Sequence, residues 1–184
     1  VSPVVIAYTV HVDWDATDWT ATPDFSEAID DITNYVKSHY IDRGKNQEQG
    51  NNQAGTLDVV LYNTDKRFSP AYADGPLFGK IRPWLPVRVQ AAIDGGGALT
   101  IYTGFISRIR VNPDLNVQEA YLYCTDGMDL LARNMVSQDK TDTTKMNDGE
   151  AIGSVLSATG WPEDKRAIDI DGSSIIKYPT TVEF

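Results

Sequence analysis

Cysteine is almost missing from this sequence. Cys124 stands alone among 184 residues, so neither an intramolecular disulfide nor a cysteine zinc cluster can form. That suits a chain folded in a reducing cytoplasm. Histidine is nearly as scarce, with His11 and His39 only, and neither lies in a catalytic motif. Long apolar runs are absent too. None approaches the roughly 20 residues that cross a bilayer, so no membrane insertion is expected of this segment. The start, VSPVVIAYTVHVDWD, lacks a basic region before its apolar stretch and reads as a strand rather than a signal peptide. Positive charge is short: 16 Lys and Arg face 26 Asp and Glu, for a net charge of -10. A protein that grips duplex DNA usually presents a basic patch. Unneutralised carboxylates repel phosphates instead.

Motifs that carry chemistry are missing as well. There is no Walker loop and no dinucleotide fingerprint. Ser69 and Ser107 lack a G-x-S-x-G setting. Asp13, Asp15 and Asp18 cluster, as do Asp169 and Asp171, but no spacing singles out a carboxylate pair for glycoside hydrolysis. Asp169 to Ser173 is loosely similar to a calcium loop, without the later bidentate Glu. Cys124 reads as a small buried hydrophobe. No catalytic residue, cofactor or metal is expected.

What the sequence does contain is alternation. Val4, Ile6, Tyr8, Val10, Val12 and Trp14 share one face of a period-2 strand. Residues 15–30 read as a polar loop. Residues 32–40 hold a short strand, with helix as the competing reading. KNQEQGNNQAG at 45–55 is a loop, TLDVVLYN a strand, and 63–79 a long connection, ordered or disordered, of a length uncommon without function. Val87, Val89, Ala91 and Ile93 alternate up to the turn Asp94-Gly95-Gly96-Gly97. The chain returns through Leu99, Ile101, Thr103, Phe105, Ile109 and Val111, which places these odd positions on one face. That is a hairpin signature. A turn at 112–116 leads to a third strand ending near Cys124, completing a meander. Gly104, inside a strand, marks a bulge or a close backbone approach. Thr125 or Asp126 caps a short helix holding Met128, Leu130 and Leu131, and Asp148 caps a second, ended by Gly160. The expected fold class is mainly β, an antiparallel barrel or sandwich with short helices after residue 124. The expected division is a β-barrel domain at 1–134 and a helix-containing extension at 135–184. The tail AIDIDGSSIIKYPTTVEF has no closure of its own and reads as the start of a further subdomain or a piece of a longer chain.

Several segments in order resemble the minor tail proteins of long-tailed bacteriophages. They are Asp31-Ile32-Thr33-Asn34-Tyr35-Val36, Arg43-Gly44-Lys45, Ala54-Gly55-Thr56, and Leu61 to Pro70 (LYNTDKRFSP). Arg82 to Val89 (RPWLPVRV), Tyr102-Thr103-Gly104-Phe105-Ile106, Cys124-Thr125-Asp126 and Leu130-Leu131 follow. Trp84 departs from the pattern, which usually has Gly there. The resemblance spans residues 31–131 and implies a β-barrel module related to tail-tube and baseplate-hub proteins.

From that resemblance follow the expected role and partners. The chain is expected to be a non-enzymatic structural component of the tail tip or baseplate, assembled in the host cytoplasm and located in the virion. Its expected partners are further copies of itself, in a trimeric or hexameric ring, and other tail proteins. DNA is expected to pass through the channel without specific binding. Candidate inter-subunit loop residues are Arg43, Lys45, Asn63, Asp65, Arg67, Phe68 and Trp84, with Phe68 also a core anchor. The loops at 43–55 and 63–80 are expected to be ordered mainly by contacts between chains. Candidate channel-lining residues are Asp58 and Asp94, with Asp114 and Glu119 as second choices. The rival reading is a receptor- or carbohydrate-binding β module, with Trp14, Trp19, Tyr72, Trp84 and Trp161 as a sugar platform. A third is an enzyme domain attached further along a longer chain.

Overall fold

The structure is a computed structural model, and it describes residues 4–43, 53–112, 114, 117–133, 146–163, 166, 168 and 175–176. The chain divides into two compact units, Val1–Asp129 and Leu130–Phe184. The first is mainly β. Its strands are β1 (Ile6–Val12), β2 (Val36–Asp42), β3 (Thr56–Tyr62), β4 (Pro86–Ile93), β5 (Leu99–Val111) and β6 (Glu119–Thr125). They form one antiparallel sheet in the order β1-β4-β5-β6-β3-β2. The meander β4-β5-β6 lies where alternation and turns placed it.

The sheet curls into a nearly closed barrel. β1 and β2 do not pair directly. The segment at 30–33, just before a 3-10 turn at Thr33–Tyr35, spans the gap between them. Val12 N–H donates to Asp30 O, Ile32 N–H donates to Val10 O, and Val10 N–H donates to Thr33 Oγ1. Lower down, the rings of Tyr8 and His39 meet edge to face at 4.8 Å. The stretch at 32–40 is thus divided: Thr33–Tyr35 is 3-10 helix, and from Val36 the chain is strand, paired with β3.

Three register shifts interrupt the sheet, between Val36 and Ser38, between Val89 and Gln90, and between Ile106 and Arg108. The last corrects the reading of β5. Odd positions do not share one face along the whole strand. Tyr102, Gly104 and Ile106 point inward and are buried. After the irregularity the phase flips, so that Ile109 and Val111 pack on the core and Arg108 and Arg110 are exposed. An extra residue on one strand does this, because side chains alternate with a strict period of two. β1 departs likewise: Val10, Val12 and Trp14 are buried, whereas Val4, Ile6 and Tyr8 are exposed on its open half.

The core gathers Val10, Val12 and Trp14 with alternate residues of every strand but β2. Gly104 is a close approach. A methyl group there would lie 2.5 Å from Thr125 O and 2.6 Å from the Tyr102 hydroxyl. The Tyr102 hydroxyl is buried without a partner, and burial pushes its pKa far up.

In the second unit, α2 (Asp148–Ala158) ends at Gly160, whose φ is +77°. Trp161 N–H donates to Leu156 O and Gly160 N–H to Ser157 O, closing the helix. Arg166 donates to Gly153 O and Ser157 Oγ, at 3.3 and 2.9 Å. Two-residue strands β7 (Met146–Asn147) and β8 (Ile175–Ile176) pair antiparallel. Across the unit boundary runs α1 (Gly127–Arg133), whose first turn is capped by Asp126: Met128 N–H donates to its Oδ1 at 2.9 Å. No described helix is long and apolar enough to cross a membrane.

Candidate functional site

Six of the segments that carry the resemblance, far apart in sequence, meet in space as three pairs. LYNTDKRFSP leaves β3 and folds back into the core. Asn63 is buried. Its Oδ1 accepts Phe68 N–H at 2.9 Å and its Nδ2 donates to Ser69 Oγ at 3.0 Å. Lys66 takes a left-handed conformation, φ +59°, to turn the chain. Phe68 is 1% exposed. Its ring meets Tyr35 at 5.5 Å and Trp14 at 6.2 Å. Arg67 lies over Tyr35 at 4.2 Å, with Asp65 Oδ2 at 3.7 Å from its Nε. The D-I-T-N-Y-V and R-F-S-P segments thus join through an edge-to-face ring contact and a guanidinium.

The other segments join similarly. Trp84 N–H donates to Ile106 O at 2.7 Å, and Ile106 N–H donates to Leu85 O at 2.9 Å. This ties R-P-W-L-P to T-G-F-I. Gly55 N–H donates to Asp126 Oδ2 at 2.7 Å, and Asp126 N–H to Gly55 O at 3.0 Å. This ties A-G-T to C-T-D. Trp84 has φ +69°, a region that suits glycine.

The candidate inter-subunit residues fall into two classes. Asp65, Trp84 and Arg43 reach the surface to differing degrees, and Arg67 is partly covered. Asn63 and Phe68 are buried within the chain, so their side chains are engaged by their own loop and are corrected from contact residues to anchors. Lys45 lies outside the described residues, as does most of the loop at 43–55. The connection at 63–80 has internal order. It is a run of short turns, with each N–H at 66, 69, 72, 75 and 78 donating to the carbonyl three residues back. Phe68 and Leu77 pin it to the core. These bonds and both anchors lie within one chain.

Of the channel candidates, Asp58 is exposed on the outer face of β3. Asp94 is exposed at the β4–β5 turn, where its Oδ1 accepts Val5 N–H at 2.9 Å and fastens the start of β1. Asp114 is exposed. Glu119 is corrected as a free charge: it is buried, its Oε1 takes Lys37 Nζ at 2.5 Å, and its Oε2 accepts the Tyr121 hydroxyl at 2.6 Å. The Lys37 ammonium and the Tyr121 hydroxyl hold the Glu119 carboxyl below the usual carboxylate range.

His11 packs against Phe25, His39 against Tyr8, and Cys124 lies in the core, where burial pushes its thiol up. Among the described residues no hydrogen bond or ring contact joins these three side chains. Among the described residues no group of three His, Cys, Asp or Glu side chains could hold a metal ion. Of the aromatics in the sugar-binding alternative, Trp14 is 1% exposed and belongs to the core. The outer face of β5 and β6 was not anticipated. There Arg108 lies over the Tyr123 ring at 4.3 Å, and Arg110 pairs in register with Tyr121. Among the described residues neither arginine forms an ion pair.

One solved structure, the tail protein from Neisseria meningitidis MC58, is similar at 13% identity and a TM-score of 0.44. The likeness covers 95% of this chain and 41% of that one, so this chain spans less than half of that protein's length. No family model matches, and no curated protein matches.

Proposed function

We propose that the chain is a non-enzymatic structural component of a bacteriophage tail tip or baseplate, a barrel module that assembles with copies of itself into a ring around the tail channel. One observation carries the reading. Six of the separated segments that resemble minor tail proteins lie on one barrel and meet in pairs, in contacts that need those residue types: Asn63 closing the loop to Phe68, Tyr35 on Phe68, and Gly104 under Tyr102. A resemblance arising by chance would have no reason to be contiguous in space. The ring is closed by contacts between copies and with other tail proteins. Its channel passes DNA without specific binding, in keeping with the net charge of -10.

The test is assembly. Purified chain, concentrated and imaged by electron microscopy, is expected to form rings of one symmetry. A chain that stays monomeric at high concentration and binds members of a glycan array would support the receptor-binding reading instead.

A further inference from the structure

Charge is unevenly placed along this chain. Between Asp13 and Asp31 lie seven carboxylates, and the first Lys or Arg of the whole sequence is Lys37. This β1–β2 connection is held in shape by its own acids. Asp13 Oδ1 accepts Ala16 N–H at 2.8 Å and its Oδ2 accepts Asp24 N–H at 2.9 Å. Asp30 accepts Trp14 and Glu27 N–H. Asp13 and Asp30 are buried, whereas Asp15, Asp18, Asp24, Glu27 and Asp31 are exposed. Lys80 meets Asp15 at 2.7 Å. The segment is thus an ordered acidic projection.

The opposite charge sits on the distal half of β5. The register shift after Ile106 turns Arg108 and Arg110 outward. Tyr123 covers one face of the Arg108 guanidinium, which leaves its N–H edges free to fork a carboxylate. The acids on the same outer face are Glu119, already tied to Lys37, and Asp58, two strands away in the row of Tyr123.

We infer that the Arg108/Arg110/Tyr123 face of one copy docks the acidic β1–β2 connection of the next copy. The inference rests on the self-assembly proposed above and names the surfaces that carry it. The occupant is a second copy because the charges are complementary and both are ordered before they meet. An extended polyanion would meet a net charge of -10 elsewhere on the protein. The two patches are different surfaces, so the contact is head to tail, the kind that closes rings. Arginine stacked on an aromatic ring, presented to carboxylates, suits such an interface.

The test uses the full chain, followed by sedimentation velocity at low and at physiological ionic strength. Arg108→Glu with Arg110→Glu, or Glu27→Lys with Asp24→Lys, is expected to weaken self-association at least about tenfold. An equimolar mixture of the two variants is expected to restore it, because each reversed patch then meets its complement. Thermal melts matching the parent protein show that both variants fold. If one fails to fold, the other double variant alone must still weaken association and restore the salt dependence when mixed with parent chain. Assembly untouched by either reversal overturns this contact while leaving ring formation standing. A parent chain that never associates overturns both. Loss of binding to a short single-stranded DNA on reversing the arginines, with assembly unchanged, would make the face a polyanion site and overturn the docking.

Discussion

A methyl group at Gly104 would overlap the carbonyl of Thr125 and the hydroxyl of Tyr102. Gly104→Ala is therefore expected to destabilise the barrel by about 1–3 kcal/mol in urea unfolding. The hydroxyl itself has no partner in its buried place. Tyr102→Phe removes an unsatisfied group, and it should be neutral or stabilising by about 1 kcal/mol. A large loss in Tyr102→Phe would mean that the hydroxyl has a partner after all. Trp84 sets a second comparison. A left-handed conformation costs a non-glycine residue about 1–2 kcal/mol. Trp84→Gly and Trp84→Ala lose the same ring, but only glycine relieves the backbone, so Gly should be the more stable by about 1 kcal/mol. Equal melting temperatures would refute this. Glu119 gives a pH dependence. Its carboxyl is held low, chiefly by the hydrogen bond from Lys37, so its contribution is full above the ordinary carboxylate pKa. It fades as pH falls through the lowered value. Lys37 is raised by the same bond, and its contribution is lost only as pH rises through that raised value. Glu119→Gln should therefore lose less stability than the parent on going from about pH 7 to about pH 3. Parallel loss in the two proteins would show that the pair contributes nothing. At this scale the sequence spoke through glycine. Gly104 stood inside an alternating run and pointed to a close approach, and the missing glycine at 84 marked the strained turn. Glu119 gave no such sign, since its partner lies 82 residues away.

Elements were legible where alternation was unbroken. β3 and β4 run over the residues their patterns set, and β6 ends one residue past Cys124. β5 was legible in extent but not in facing, because an irregularity between Ile106 and Arg108 leaves no mark in hydrophobicity: Ile106 and Ile109 are both apolar, and both point inward. The same irregularity hid the arginine face, since Arg108 and Arg110 read as ordinary polar positions until register set them beside Tyr123 and Tyr121. The connection at 63–80 was read as polar and partner-dependent because composition dominates such a judgement. Two buried residues, Phe68 and Leu77, pin the connection to the core. Phe68→Ala should cost about 3–5 kcal/mol, measured by urea unfolding, and should release the loop from the core. A cost below about 1 kcal/mol would return the loop to partners.

The barrel as a whole has one weak line. Five strand pairings hold the sheet, whereas β1 and β2 share no strand pairing and are linked by the segment at 30–33 and the Tyr8–His39 ring contact. Local opening is cheapest where the fewest bonds break together. Amide exchange should therefore be faster at Val10, Val12 and Ile32 than at the centres of β3 and β6. Slower exchange at this seam would mean that the barrel is fully closed. Closure was beyond sequence reading, because alternation assigns strands and not the partners of the first and last.

The run of turns from Asn63 to Lys80 bears on digestion. A protease takes its substrate as an extended strand several residues long. Here every third amide is tied to the carbonyl three residues back, so no such stretch can be drawn out singly. Several turns must open at once, and Phe68 and Leu77 must leave the core as they do. A long polar loop is ordinarily the first place a protein is cut. Built this way, it is cut only when the barrel itself lets go.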